Sequence, residues 1–214
     1  MKPKIICIGF EKTGTTSLEQ ALTILGYRVR GNYPRALLPA ATANKKKLLK
    51  ILEGYDAMSD KPWFMIYREL DQLFPGSTFI LTVREEESWY RSVSRHLGSL
   101  RTAHHEWIYG KGKGVPRDNK ENAIKVFSQH NREVKEYFSN RPEDLLVLNL
   151  AEDNNWEKLC QHVDKPIPAI PFPHLMKGAN NIQTEQSLSK QFKYIRRKIK
   201  NYFLIRYMNM KGLL

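Results

Sequence analysis

Nine consecutive positions, Gly9-Phe10-Glu11-Lys12-Thr13-Gly14-Thr15-Thr16-Ser17, hold one ammonium, four hydroxyls and two glycines. The Lys12 ammonium and the hydroxyls of Thr13, Thr15, Thr16 and Ser17 are all donors suited to an oxyanion. An apolar run starting at Ile5 precedes the string. Leu18, Leu22 and Leu25 follow it at helical spacing, and Gly26 supplies a stop. Strand, glycine turn, helix is an arrangement that aims orphan backbone amides and a positive helix end at an anion. The order differs from the standard nucleotide loop, Gly-x-x-x-x-Gly-Lys-Ser/Thr, because Lys12 comes before Gly14. Ordinary capping of a strand-to-helix turn would need only one of these hydroxyls.

A second candidate anion grip lies further on. Arg84 ends the apolar stretch Thr78-Phe79-Ile80-Leu81-Thr82-Val83, and Ser92 follows eight residues later. A guanidinium at a strand end and a hydroxyl on the next helix can hold a phosphate, the fork giving paired charge-assisted bonds. The competing role for Arg84 is an ion pair with Glu85, Glu86 or Glu87. For Ser92 it is a plain helix surface position. Asp60 closes the short stretch Asp56-Ala57-Met58-Ser59-Asp60, and a carboxylate at a strand end can take a proton. Its competing roles are an N-cap before Pro62 or a salt bridge to Lys61. His104, His105 and His174 are rival bases, each equally suited to packing.

These residues need a scaffold. Strands are expected at the Ile5 run, Tyr27–Arg30, 56–60, Thr78–Val83 and 145–150, the third and fourth ending on Asp60 and Arg84. Helices are expected at 17–26, 45–53, 63–74, 85–100, 119–140 and 156–163. Strands alternating with helices predict an α/β fold of three layers, α/β/α, with a mostly parallel central sheet. Ligands of such sheets bind beyond the strand C-termini, where the Lys12 turn, Asp60 and Arg84 all fall. Residues 110–118, rich in Gly and Lys, form a candidate lid. Residues 165–174 carry four prolines and predict an extended connection. Residues 186–207 predict a basic amphipathic helix whose stripe, Leu188, Phe192, Ile195, Ile199 and Tyr202, is expected to pack on the domain. The other expectation is that residues 186–211 lie on an anionic membrane as a peripheral contact.

The 214 residues suit one domain, 1–214, with 175–214 as a basic helical appendage. A formal charge of +13 implies an acidic partner. Nucleic acid is disfavoured because no recognition motif accompanies the charge. The two cysteines, Cys7 and Cys160, have no metal-ligand spacing and predict small buried side chains. The first apolar run is too short for a leader, and no run is long enough to span a membrane. The expected location is cytoplasmic, with or without peripheral membrane contact.

The string Gly9 to Ser17 resembles the 5′-phosphosulfate loop of the sulfotransferases that use 3′-phosphoadenylyl sulfate (PAPS). The segment Ile80 to Ser92 is similar to their 3′-phosphate segment, in which a strand-end arginine precedes a serine by eight residues. Asp60-Lys61-Pro62-Trp63-Phe64 looks like the segment that carries the catalytic base. Residues 146–160 and 170–174 look like the closing strand, helix and proline connection of a bacterial-type branch. The resemblance runs from about Lys4 to His174 and implies a P-loop-like start to the fold. It implies PAPS as cosubstrate and adenosine 3′,5′-bisphosphate (PAP) as product, held by Lys12, Thr13, Gly14, Thr15, Thr16, Ser17, Arg84 and Ser92. Lys12 and Asp60 would be catalytic, and the acceptor a hydroxyl or amine, with carbohydrate or lipid-linked glycan favoured. No metal is implied, since a sulfuryl group carries little charge beside a terminal phosphate. Two departures stand out. Glu85-Glu86 replaces an acidic residue followed by proline, and the C-terminal Arg-Lys-Gly clasp has only Lys177-Gly178 as a counterpart. A nucleotide kinase or NTPase, and a non-catalytic basic module on anionic surfaces, are the alternatives; Arg84 standing where a magnesium aspartate would follow the strand weighs against the kinase.

Overall fold

The structure is a computed structural model and describes residues 2–33, 44–97, 101–152, 154–174, 188–210 and 212–213, with only the backbone described over 188–193. Among the described residues five strands form one sheet: β1 (Ile5–Cys7), β2 (Val29–Arg30), β3 (Ala57–Met58), β4 (Thr78–Val83) and β5 (Leu145–Asn149). Their order is β2-β3-β1-β4-β5 and every pairing is parallel. The register sets Ile6 opposite both Met58 and Phe79, so the ends of β1, β3 and β4 reach one edge.

Alternation along the strands divides the core. Ile6, Ile8, Met58, Phe79 and Leu81 face one side. There they meet α2 (Lys45–Leu52), α3 (Tyr67–Leu73), α4 (Glu86–His96) and α6 (Lys120–Tyr137). Ile5, Cys7, Ala57, Ile80 and Leu148 face the other side, against α1 (Thr15–Ile24) and α7 (Asn155–His162). Strands apolar on both faces are what a covered parallel sheet requires. The three-layer α/β/α architecture expected from the alternation of elements is therefore present.

Several boundaries differ from expectation for local reasons. Helix α1 starts at Thr15, because Gly14 at φ 103° takes the left-handed cap position. Trp63–Met65 is a 3-10 turn rather than the first turn of an α-helix, and α3 begins only at Tyr67. The Gly-Lys stretch expected as a lid is pinned: the Gly112 and Gly114 amides donate to buried Glu106, at 2.6 and 2.9 Å. Both cysteines are buried, as expected. Phe172, in the proline-rich connection, packs on Trp156, whose Nε1 donates to the Ile170 carbonyl at 2.8 Å.

Two helices distant in sequence share a small cluster beside the main core. Helix α5 (Ala103–Tyr109) was not apparent from the sequence, although Thr102 caps it by accepting from the His105 amide at 3.2 Å. Helix α8 (Leu188–Met210) docks on α5 through Ala103, Leu204, Ile205 and Met208. The expected packing stripe is corrected here: Ile195, Ile199 and Tyr202 are exposed, while the side chains of Leu188 and Phe192 lie outside the described residues. Asn201 takes an inward position instead, its side-chain oxygen accepting from the Ala103 amide at 3.3 Å. Among the described residues no helix is long and apolar enough to cross a membrane.

Candidate active site

The loop between β1 and α1 lies at the C-terminal edge of the sheet, where Gly9 passes β4 closely. A Cβ on Gly9 would sit 1.8 Å from Thr82 Oγ1. Lys12 adopts φ 68° and Asp60 φ 67°, both left-handed. Such backbone costs a lysine about 1 kcal/mol and recurs at functional sites. Helix α1 has no side-chain cap and no acidic residue in its first turn. Its positive end is therefore uncompensated from within the helix.

A cleft of about 270 Å³ opens over this loop. Eight of the nine residues singled out from the sequence line it: Lys12, Gly14, Thr15, Thr16, Ser17, Asp60, Arg84 and Ser92. Thr13, the ninth, does not line it. Its hydroxyl lies 2.6 Å from the Phe10 carbonyl and 2.5 Å from Thr82 Oγ1, so its side chain is used inside the turn. The Arg84 guanidinium bridges two parts of the site. Its Nη1 donates to the Lys12 carbonyl at 3.2 Å, while Nε and Nη2 donate to Ser88 Oγ at 3.0 and 2.9 Å. The expected competing pair with Glu85 is not formed, because Glu85 caps α4 by accepting from the Glu87 and Ser88 amides.

Beneath the cleft lies a polar cluster that sequence reading missed. Glu11 is buried, and its carboxylate accepts from Lys61 Nζ and the Tyr109 hydroxyl, each at 2.6 Å. His105 Nε2 stands 3.6 Å away. The Glu11 carbonyl also accepts from Trp89 Nε1 at 2.8 Å. Nothing local in the sequence links Glu11 to partners so distant along the chain. Burial alone would raise the Glu11 carboxyl, but the Lys61 ammonium and its hydrogen bonds hold it well below the usual carboxylate range.

Lys61 thus pairs with Glu11, and the salt bridge weighed for Asp60 is not made. Among the described residues the Asp60 side chain has a local contact, its Oδ1 accepting from the Lys61 amide at 2.8 Å. Burial pushes the Asp60 carboxyl up, Lys61 opposes this, and Glu11 adds to it. Burial pulls the Lys12 ammonium down, Glu11 and Asp60 partly offsetting this while Arg84 and Lys61 reinforce it. Of the rival bases, His104 is held down to about 4 by burial and then by Lys61, and His105 belongs to the Glu11 cluster. Neither they nor His174 lines the cleft. Trp63 and Trp89 are fully buried, Trp89 stacked on Phe127 with centroids 4.2 Å apart, so both serve the core. The Lys177-Gly178 counterpart of the clasp lies outside the described residues.

Two outcomes follow from these charges. Glu11 has its folded value below its unfolded one, so its contribution is complete above the unfolded value and is lost as pH falls below about 4. Glu11→Gln leaves Lys61 buried without its hydrogen-bonded counter-ion and should cost about 3 kcal/mol at pH 7. Urea titrations should show that deficit narrowing as pH falls below 4; an equal deficit at all pH values would contradict the ion pair. Asp60 has the opposite sign, since a raised carboxyl loses stability as pH rises through its folded value. Asp60→Asn, which tolerates the left-handed backbone, should raise the thermal midpoint at pH 7, and the gain should shrink in acid. A lowered midpoint would remove the strain assigned to Asp60.

Comparison with known proteins identifies a family. The profile of the family described as "Sulfotransferase domain" matches residues 4–116 and 100–181. The matched span takes in the Lys12 loop, Asp60, Arg84 and Ser92. The chain is also 25% identical over 224 aligned residues to "Ava biosynthesis cluster protein M" of Aspergillus versicolor, covering 86% of this chain and 85% of that protein. A parallel α/β sheet with a hydroxyl-rich loop after its first strand, and a family match across most of the chain, lead to one conclusion: this protein belongs to the sulfotransferase domain family.

Proposed function

We propose that the protein transfers a sulfuryl group from PAPS to a hydroxyl or amine of an acceptor, releasing PAP. The observation that carries this reading is the junction of two anion grips. The Lys12 turn and the Arg84–Ser92 segment line one cleft and are joined by the Arg84 hydrogen bond to the Lys12 carbonyl. Residues from separate strand ends, Lys12, Asp60 and Arg84, therefore converge on one space.

The residues fit a doubly phosphorylated adenosine. The N-terminus of α1, with Thr15, Thr16 and Ser17 in its first turn, suits the 5′ phosphate. Arg84 and Ser92 suit the 3′ phosphate, with Ser88 fixing the guanidinium. When bound, PAPS supplies the reactive sulfuryl group. Lys12 faces the charge that develops on the leaving phosphate, an electrostatic role worth roughly 10²–10³ in rate. Asp60 takes the acceptor's proton. Its raised carboxyl is a stronger base than an ordinary aspartate, and it stands in the same cleft as Lys12. The lining among the described residues is polar apart from Leu97, which suits a sugar hydroxyl better than an apolar acceptor.

A thermal-shift comparison tests the donor. PAP should raise the midpoint more than ADP or ATP with magnesium. Arg84→Ala should weaken PAP roughly 10- to 100-fold, the worth of charge-assisted hydrogen bonds. Lys12→Ala should weaken it less. A preference for ATP with magnesium would transfer the reading to a nucleotide kinase.

A further inference from the structure

The proposed chemistry leaves α8 without a task. Its 23 residues include seven Lys or Arg and no Asp or Glu, within a chain of net charge +13. Its orientation is fixed from one side. Ile205 and Met208 are buried against Ala103, and Asn201 holds the Ala103 amide. The opposite side carries Ile195, Ile199, Tyr202, Phe203 and Met210, all exposed; Phe203 is 63% and Met210 72% accessible. Arg196, Lys200 and Arg206 lie among them and are exposed as well. Large apolar side chains seldom gather on an exposed helix face unless something covers them.

Charge selects what covers this face. A second copy of the chain would bring two acid-free rows of cations together, and like charges repel. Nucleic acid would neutralise the cations but leave aliphatic Ile195, Ile199 and Met210 without apolar contact. An anionic bilayer meets both needs. Its acyl boundary takes the apolar side chains, and its headgroups take the ammonium and guanidinium groups, which reach outward on their apolar stems.

We infer that the outward face of α8 binds the surface of an anionic lipid bilayer, with the helix lying in the interface and the rest of the domain above it. Helix α8 docks on α5, whose His105 and Tyr109 stand against Glu11 beside Lys61. The helix therefore runs beside the Lys61 side of the cleft, and a bound domain presents that side near the headgroups. The inference does not rest on the donor assignment, because its test needs no nucleotide.

Flotation of the full chain with vesicles is the test. Neutral phosphatidylcholine vesicles are compared with vesicles holding roughly 30 mol % phosphatidylglycerol. The protein should float at least about tenfold more with the anionic vesicles, and about 0.5 M salt should weaken this. The double variant I199E/F203E should lower binding roughly tenfold or more while keeping the wild-type thermal midpoint, since both side chains point outward. R196E/K200E should also lower it, through charge alone. Equal flotation with neutral and anionic vesicles, or undiminished binding by both variants, would overturn the inference. So would a concentration-dependent dimer abolished by I199E/F203E, or single-stranded RNA binding without vesicle binding.

Discussion

The site depends on one buried ion pair. Glu11, in the loop after β1, holds Lys61, in the segment after β3, at 2.6 Å in a setting almost closed to water. Tyr109 from α5 and Trp89 from α4 close on the same residue, one at its carboxylate and one at its carbonyl. Four separate parts of the chain are thereby tied beneath the cleft. A buried pair of this kind adds little net stability over an apolar equivalent. What it adds is position: it fixes the segment carrying Asp60 against the turn carrying Lys12. It also engages the Lys61 ammonium, so the Asp60 carboxylate beside it has no salt-bridge partner among the described residues.

The electrostatics of the cleft follow from that arrangement. Glu11, whose carboxyl is held low by Lys61 and its hydrogen bonds against the effect of burial, is matched by Lys61. Lys12 and Arg84 are left as positive groups over a helix end without a side-chain cap, and Asp60 as a carboxylate disfavoured by burial. A site with spare positive charge on one side and a destabilised base on the other suits transfer from an anionic donor to a protic acceptor. The positive-φ backbone at Lys12 and Asp60 belongs to the same economy, since both residues are held where an unconstrained chain would not leave them.

How much of this could be read from the residues alone depends on how local each signal is. The strand Thr78–Val83 was legible to its ends, because an unbroken apolar run is bounded by Pro75-Gly76 and Arg84. The parallel sheet was legible from alternation of elements. The cluster around Glu11 was not, because its contacts join residues 50 and 98 positions apart. Thr13 looked like its neighbouring hydroxyls, yet the left-handed turn sends it toward Thr82, a partner no spacing rule names. In α8 periodicity found an apolar stripe but could not tell which side would meet the domain. A single hydrogen bond from the Ala103 amide to the Asn201 side-chain oxygen, with Ile205 and Met208, decided that. Helix α5 is short, and its capping threonine was the one local signal available.

The central claim is that one doubly phosphorylated adenosine spans both anion grips. A crystal structure of the protein soaked with PAP measures this directly. The 5′ phosphate is expected at the N-terminus of α1 beside Lys12, with the 3′ phosphate on Arg84 and Ser92. A nucleotide seated at the opposite end of the sheet, in the cavity lined by Lys2, Lys4 and His162, would contradict the account. So would a nucleotide in the cleft whose 3′ phosphate is turned to solvent away from Arg84.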